Sequence, residues 1–249
     1  MTLPTADRFE RAGIEAWPGI ELEWDFAWLR RAANGYTRRA NCLQCFDPAD
    51  GDDAAARLDA GLAWLTARGL PPVVRSTPLT SPALDAVLDA RNWQVTGRSH
   101  LFAMPLVPVA PDREARIFPL LDPDFLAAQQ QLRRYDETQL AGLRALLSAM
   151  SVPAAGIVLY REGRPVATCL TAIADAITIT GNVITDPARR REGLAAAMMR
   201  TGHHWAMANG ATTAALNVEA DNAPAKALYR ALGYAHQYDY HYRIPGEPA

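Results

Sequence analysis

The chain has 249 residues, 49% of them apolar and 21% charged, with a formal net charge of −2. That is the composition of a soluble globular protein with ample core material, arranged as one large domain or two small ones. The near-neutral balance excludes a global positive field of the kind that gathers nucleic acid or anionic lipid, so neither is an expected partner.

In chain order, "MTLPTADRFERAG" carries acidic residues and no apolar stretch, so no signal peptide is expected there. No run approaches the roughly 18 apolar residues of a membrane span. A cytoplasmic protein is expected. "NCLQC" (41–45) reads as a strand. Its Cys42 and Cys45 stand three apart and point to opposite faces. With Cys169 they make three cysteines, a sparse, odd count that fits a reducing compartment. Burial in a sheet is expected of this C-x-x-C, and no metal. Asp47-Pro48-Ala49 then leads into "DGDDAAARLDAG", a helix ending at "WLTARG" (64–69), a strand "PPVVRST", a Pro-started helix "PALDAVLDARNW" and another strand.

Prolines at 105, 108, 111 and 119 mark a linker, which divides residues 1–108 from 112–249. Helical patterning follows over 122–150. "AGIVLYREGRPVATCLTAI" reads as two strands around a turn at Glu162-Gly163, and the β-branched 177–184 as a third. A helix spans Gly193 to Asn209, with Gly210 at its left-handed end. On it His203 and His204 are adjacent, so their side chains diverge, and Trp205 reads as core. Strand 213–219, a Pro-initiated helix 224–232 closed by Gly233, and a strand "YAHQYDYHYRI" complete the chain. Alternation sets Tyr234, Tyr238, Tyr240 and Tyr242 on one face of that strand.

The two halves repeat one plan. "WLTARG" matches "WAMANG" (205–210), and Trp64 precedes Trp93 by 29 positions as Trp205 precedes Tyr234. Each half has an Asp-Pro-Ala upstream, at 47–49 and 186–188. A duplicated mixed α/β fold is expected.

The second Asp-Pro-Ala opens "DPARRREGLAAAMM" (186–199). Glycine permits close approach and positive φ. The first N–H groups of the helix lack intrahelical partners, and its dipole adds positive potential. With the arginines this suits a diphosphate. The plainer reading is a glycine at a helix start beside solvated arginines. The Lys-Ser/Thr of a Walker A loop and a G-x-G-x-x-G are both missing. In the first half Asp50, Asp52 and Asp53 stand where the second has arginines, and carboxylates repel diphosphate.

Two stretches of the second half resemble the GNAT superfamily of acyl-CoA-dependent N-acyltransferases. One is the loop Arg190-Arg191-Glu192-Gly193-Leu194-Ala195. The other is N-x-x-A-x-x-L-Y, then Gly-aromatic: Asn222, Ala225, Leu228, Tyr229, Gly233 and Tyr234. The resemblance covers about 115–249. The first half looks like a unit of the same kind that lacks the loop and the tyrosine, and "GYTRRANC" (35–42) is similar to segments of bacterial proteins with such a degenerate half. One departure is that Arg191 stands where many members have glycine. The resemblance implies an α/β (α+β mixed) fold of two GNAT-like domains, each a mixed, mostly antiparallel sheet flanked by helices. It implies acetyl-CoA as acyl donor and an amine as acceptor. Backbone amides of Arg191, Glu192, Gly193, Leu194, Ala195 and Ala196 hold the diphosphate, with Arg190 beside them. The backbone of Asn182, Val183 and Ile184 pairs with the pantetheine arm.

An N–H near Val183 is the candidate for stabilising the oxyanion, and Tyr229 either gives its proton to the departing thiolate as general acid or is a packed residue of an amphipathic helix. Asn222 either holds cofactor amides or caps the helix. Glu219 is the first candidate base, with Asp221, Asp186 and an ordered water as others. An acyl-CoA-binding sensor without catalysis, and transfer to a thiol or hydroxyl, are the alternatives. The acceptor and the oligomeric state are not legible in these residues.

Overall fold

The computed structural model describes residues 2–246. The first half runs α1 (Ala6–Ala16), β1 (Glu21–Asp25), β2 (Trp28–Ala32), β3 (Cys42–Cys45), α2 (Ala54–Thr66), β4 (Val74–Ser76), α3 (Pro82–Ala90) and β5 (Gln94–Pro105). The second runs β6 (Ala115–Phe118), α4 (Pro123–Arg133), α5 (Glu137–Ser148), β7 (Ala154–Arg161), β8 (Arg164–Ala174), β9 (Ile177–Thr185), α6 (Leu194–Ala208), β10 (Thr213–Glu219), α7 (Ala223–Ala231) and β11 (Ala235–Ile244).

Local chemistry sets several boundaries. Positive φ at both Glu162 (55°) and Gly163 (72°) gives the turn whose twist matches a β7–β8 hairpin. Helix α3 starts at Pro82, and the Ser81 hydroxyl accepts the Leu84 N–H at 3.3 Å. The helical stretch expected over 122–150 divides in two. Arg134 turns left-handed at φ 60°, and Asp136 with Gln139 forms a capping box that starts α5. Part of the expected proline linker is a strand: β6 pairs antiparallel with β7 at the sheet edge, where the neighbouring prolines cost no ladder bonds.

The eleven strands among the described residues form one sheet, in the order β1-β2-β3-β4-β11-β5-β10-β9-β8-β7-β6. Each half repeats an arrangement. β3 and β4 are parallel, as are β9 and β10, and each pair is followed by an antiparallel strand. That strand is exchanged. β11 completes the first half at β4, β5 completes the second at β10, and the two pair with each other. The sheet is therefore continuous, where the sequence suggested one sheet to each half.

Helices α2, α3, α6 and α7 cover one face, and α1, α4 and α5 the other. Helix α1 belongs to the first half by sequence but packs Phe9, Ala12 and Ala16 on Ala172, Ile177 and Ile179 of the second. Helix α4 comes close because Gly156 leaves room for the Phe125 ring, which any Cβ would strike. Cys42 and Cys45 are buried in different clusters on opposite faces, as alternation predicts.

Tyr234, just before β11, and the three tyrosines within it do not all share a face. Register shifts by one residue between His236 and Tyr238. This bulge leaves Tyr234 among the α6/α7 side chains and turns Tyr238 toward α1. No helix among the described residues is long and apolar enough to cross a membrane.

Candidate active site

Pairing of β9 with β10 begins at Ile177–Thr213 and stops at Thr180–Leu216, although both strands continue. β9 bends away because Asn182 adopts φ 47° and forms a bulge against β8, between Leu170–Gly181 and Thr168–Ile184. Asparagine tolerates this left-handed geometry better than most residues. The splay opens a cleft of about 260 Å³ whose walls include Asn182, Val183, Glu219, Asn222 and Tyr229. Five of the residues singled out in the sequence thus meet at one place. Beyond Thr180 the β9 backbone facing β10 has no ladder partner, so Asn182, Val183 and Ile184 offer an edge to an extended ligand arm.

The arginine loop leads from the far end of β9 into α6. Its two left-handed residues are Arg191 (φ 69°) and Gly193 (φ 73°). Arg191 therefore adopts a conformation that glycine takes freely, at a cost of order 1 kcal/mol. Arg189 is held by Glu192 at 2.7 Å, while Arg190, Arg191 and Gly193 are exposed. The first helical bond at this end joins the Ala197 N–H to the Gly193 carbonyl, so the N–H groups of Leu194, Ala195 and Ala196 have no partner within α6. Nothing lies within 4 Å of a Cβ built on Gly193.

The counterpart loop of the first half is filled from within. Asp50 accepts from Arg57 at 2.6 Å and from the Ala27 N–H at 2.9 Å. The hydrogen bond from Arg57 chiefly holds its carboxyl below the usual carboxylate range.

A substitution separates ligand space from folding at α6. Gly193→Val should weaken binding of a diphosphate-bearing ligand at this helix start at least tenfold in calorimetry, a loss of about 1.4 kcal/mol. The side chain meets no protein atom, so the fold should persist with only the strain of a left-handed β-branched residue, on the order of 1–2 kcal/mol. Unchanged affinity in the folded variant would show that the loop holds no diphosphate.

Tyr229 is 6% exposed and packs edge-on to Tyr234, with ring centroids 6.0 Å apart. Burial pushes its hydroxyl up to about 12. Glu219 ends β10 in an exposed position and, among the described residues, is the only carboxylate lining either this cleft or its neighbour described below. Asp186 instead caps a short turn, accepting the Ala188 N–H at 2.9 Å, and Asp221 lines neither. Asn222 caps α7, its Oδ1 accepting from the Ala225 N–H at 3.1 Å, while also facing the cleft.

His203 is buried, hydrogen-bonded to Tyr234 Oη at 2.7 Å and pushed down to about 4 by burial. His204 diverges to the Val109 carbonyl at 3.1 Å. A separate trio, His100, His236 and Asp239, lines neither this cleft nor its neighbour, with both imidazoles 2.6 Å from the same carboxylate oxygen.

Residues that sequence reasoning missed lie on the α1 side of the splay. A second cleft of about 430 Å³ shares Asn217 and Glu219 with the first, and adds Arg38, Arg39, Ser99, Tyr240 and Tyr242. These come from the first half and from the exchanged strands. The only signal in the sequence was "GYTRRANC", which has no position in the second half's motif.

Comparison with known proteins gives a consistent answer. Residues 6–243 match the family model described as "Probable histone acetyltransferase Rv0428c C-terminal". The chain is 24% identical over 243 residues to the uncharacterized N-acetyltransferase YobR of Bacillus subtilis (strain 168), covering 95% of this chain and 97% of that protein. A GCN5-related N-acetyltransferase from Kribbella flavida superposes with a TM-score of 0.71 at 19% identity, covering 98% of this chain and 97% of its own. A tandem GNAT protein from the clavulanic acid biosynthesis pathway does so with a TM-score of 0.65 at 11% identity, covering 84% and 76%.

Proposed function

The chain belongs to the family of GNAT-type N-acetyltransferases whose model spans residues 6–243, and on that premise we propose that it moves an acetyl group from acetyl-CoA to a primary amine of a small molecule or peptide by direct attack. The observation that carries this is the β9–β10 splay, which gathers Asn182, Val183, Glu219, Asn222 and Tyr229 near an open helix start.

Acetyl-CoA supplies the thioester. The remaining work falls to the chain. N–H groups from Arg191 to Ala196 receive the diphosphate, with Arg190 adding charge. The free edge at Asn182, Val183 and Ile184 aligns the pantetheine arm, and the Val183 N–H stabilises the oxyanion. Glu219 takes a proton from the attacking amine, directly or through water.

The Tyr229 hydroxyl faces the departing sulfur. At about 12 it stays protonated, against roughly 8.5 for a cysteine-like thiol. Full transfer is therefore uphill, and the hydroxyl acts chiefly by hydrogen-bonding the developing thiolate.

In this reading 112–249 is the catalytic unit and 1–108 a degenerate one, whose acidic loop binds no cofactor. The setting proposed is cytoplasmic. Calorimetry should give one acetyl-CoA site per chain; two equal sites would overturn the assignment of the first half. Acetyl-CoA consumption should then depend on an added amine, tested with free amines, amino acids and peptides. The family description points to a histone, so a lysine-rich tail belongs in the panel. Binding without turnover of any amine would leave a sensor.

A further inference from the structure

Four side chains beneath the second cleft carry an unusual charge balance. Arg31, Arg75 and Glu10 are 2%, 2% and 5% exposed, and Arg39 is half-buried above them. With Asn217 they line a cavity of about 10 Å³ between α1 and the sheet. Three guanidiniums face one carboxylate.

That carboxylate is committed. Glu10 pairs with Arg75, and accepts from Gln44 Nε2 at 2.8 Å and from the Tyr238 hydroxyl at 2.7 Å. Arg31 has only neutral partners, Gln44 Oε1 at 3.1 Å and Cys42 Sγ at 3.6 Å. Arg39 stacks on Trp17 at 5.0 Å and has no hydrogen bond or ion pair from its guanidinium among the described residues. The Nε atoms of Arg31 and Arg75 and the Oδ1 of Asn217 are buried without partners. Buried guanidiniums without counter-charge are costly, and they leave a positive field that a bound anion relieves. Burial, with Arg75 and Arg31 nearby, lowers the pKa of Arg39, which agrees with a charge lacking compensation.

The positive group is held in place. The loop that carries Arg39 is fixed by Asn41, whose Oδ1 accepts from the Ala33 and Gly35 N–H groups at 2.7 and 3.0 Å, and whose Nδ2 donates to the Thr37 carbonyl at 2.6 Å. Thr37 also accepts from Trp17 Nε1 at 2.8 Å. Arg39 reaches the splay itself: one of its guanidinium nitrogens lies 3.9 Å from where a Gly181 Cβ would stand. Glu219 lines the same cleft. The arginine loop before α6 belongs to the other sheet face, so these guanidiniums are not part of the diphosphate site.

We propose that the acceptor is an amine that also carries a carboxylate, as a free amino acid does, with the carboxylate bound by Arg39 and the amine directed toward Glu219. This rests on the acetyltransferase reading above. The cavity holds no more than about one water, so the carboxylate remains in the open cleft and meets Arg39 from above. Arg38, stacked on Tyr242 at 5.3 Å on the cleft wall, adds charge of the same sign. The same field opposes lysine-rich peptides.

The test compares acceptors matched except for charge: the L-amino acids, their carboxamides and a lysine-rich peptide. Acetyl-CoA binding is measured separately by calorimetry. Carboxylates should exceed their carboxamides at least tenfold in kcat/KM, chiefly through KM. Arg39→Gln should bring that ratio close to one, and Arg39→Lys should restore part of it. A folding defect lowers both rates and does not move the ratio. Carboxamides or the lysine-rich peptide used as well as carboxylates would overturn the inference and leave the acetyltransferase reading standing. So would acetyl-CoA binding without turnover of any amino acid, or an unchanged ratio in Arg39→Gln. Absence of acetyl-CoA binding would remove the reading and the inference together.

Discussion

Tyr229→Phe should lower turnover by about 10²-fold, the range seen when one donor to a developing negative charge is deleted. The ring remains, and with it the packing on Tyr234 within the cluster that includes Leu216 and Met199. Acetyl-CoA affinity and melting temperature should stay near wild type. The rate loss should also be nearly constant from about pH 6 to 9, far below where this hydroxyl ionises. Stopped assays with any active acceptor, beside calorimetry and a thermal melt, separate the cases. A stability loss of roughly 1 kcal/mol without a specific rate loss would mark a structural hydrogen bond instead. Full activity in the variant would end the leaving-group role.

Glu10→Gln should have the largest effect on folding. It keeps the side-chain shape but leaves Arg75 buried with no opposite charge, beside Arg31 and Arg39. Breaking one side of a buried pair costs about 3–5 kcal/mol, which for a chain of this size lowers Tm by roughly 10 °C.

The effect has a defined pH dependence. Burial by itself raises the Glu10 pKa, but Arg75, Tyr238 and Gln44 outweigh it and hold the carboxyl below its ordinary 4.5. A group depressed in the folded state stabilises above its unfolded value and loses that contribution as pH falls through its folded value. Wild-type stability should therefore drop below about pH 4.5, and Glu10→Gln should lack that part of the acid dependence. Equal Tm for the two proteins at neutral pH would show that the pair contributes nothing net.

Several residues singled out in the sequence meet at the candidate site because the features that mark them are local. The helix start at Gly193 and the cap at Asn222 sit in short segments whose residues set their own backbone, whereas the bulge at Asn182 emerged only in the structure. Arg191 is a local departure with a local consequence, since it takes a left-handed φ of 69° at a position suited to glycine. The face of Tyr238 was not legible. A one-residue bulge reverses alternation, and nothing in "YAHQYDY" says where pairing with β5 will slip.

By itself the sequence determined the family and the mixed α/β class, and it singled out residues that meet where β9 leaves β10. Periodicity, capping and motif spacing act over a few residues to a few tens, and these features live on that scale. Only the tertiary structure decided that β5 and β11 change places, that α1 crosses onto the other half, and that Arg31, Arg39 and Arg75 converge with Glu10 under the cleft. Each depends on contacts between segments far apart in the chain, Glu10 to Tyr238 being separated by 228 positions. Strand order is settled by which edges and apolar faces can be covered together, a property of the assembled sheet that no single strand carries.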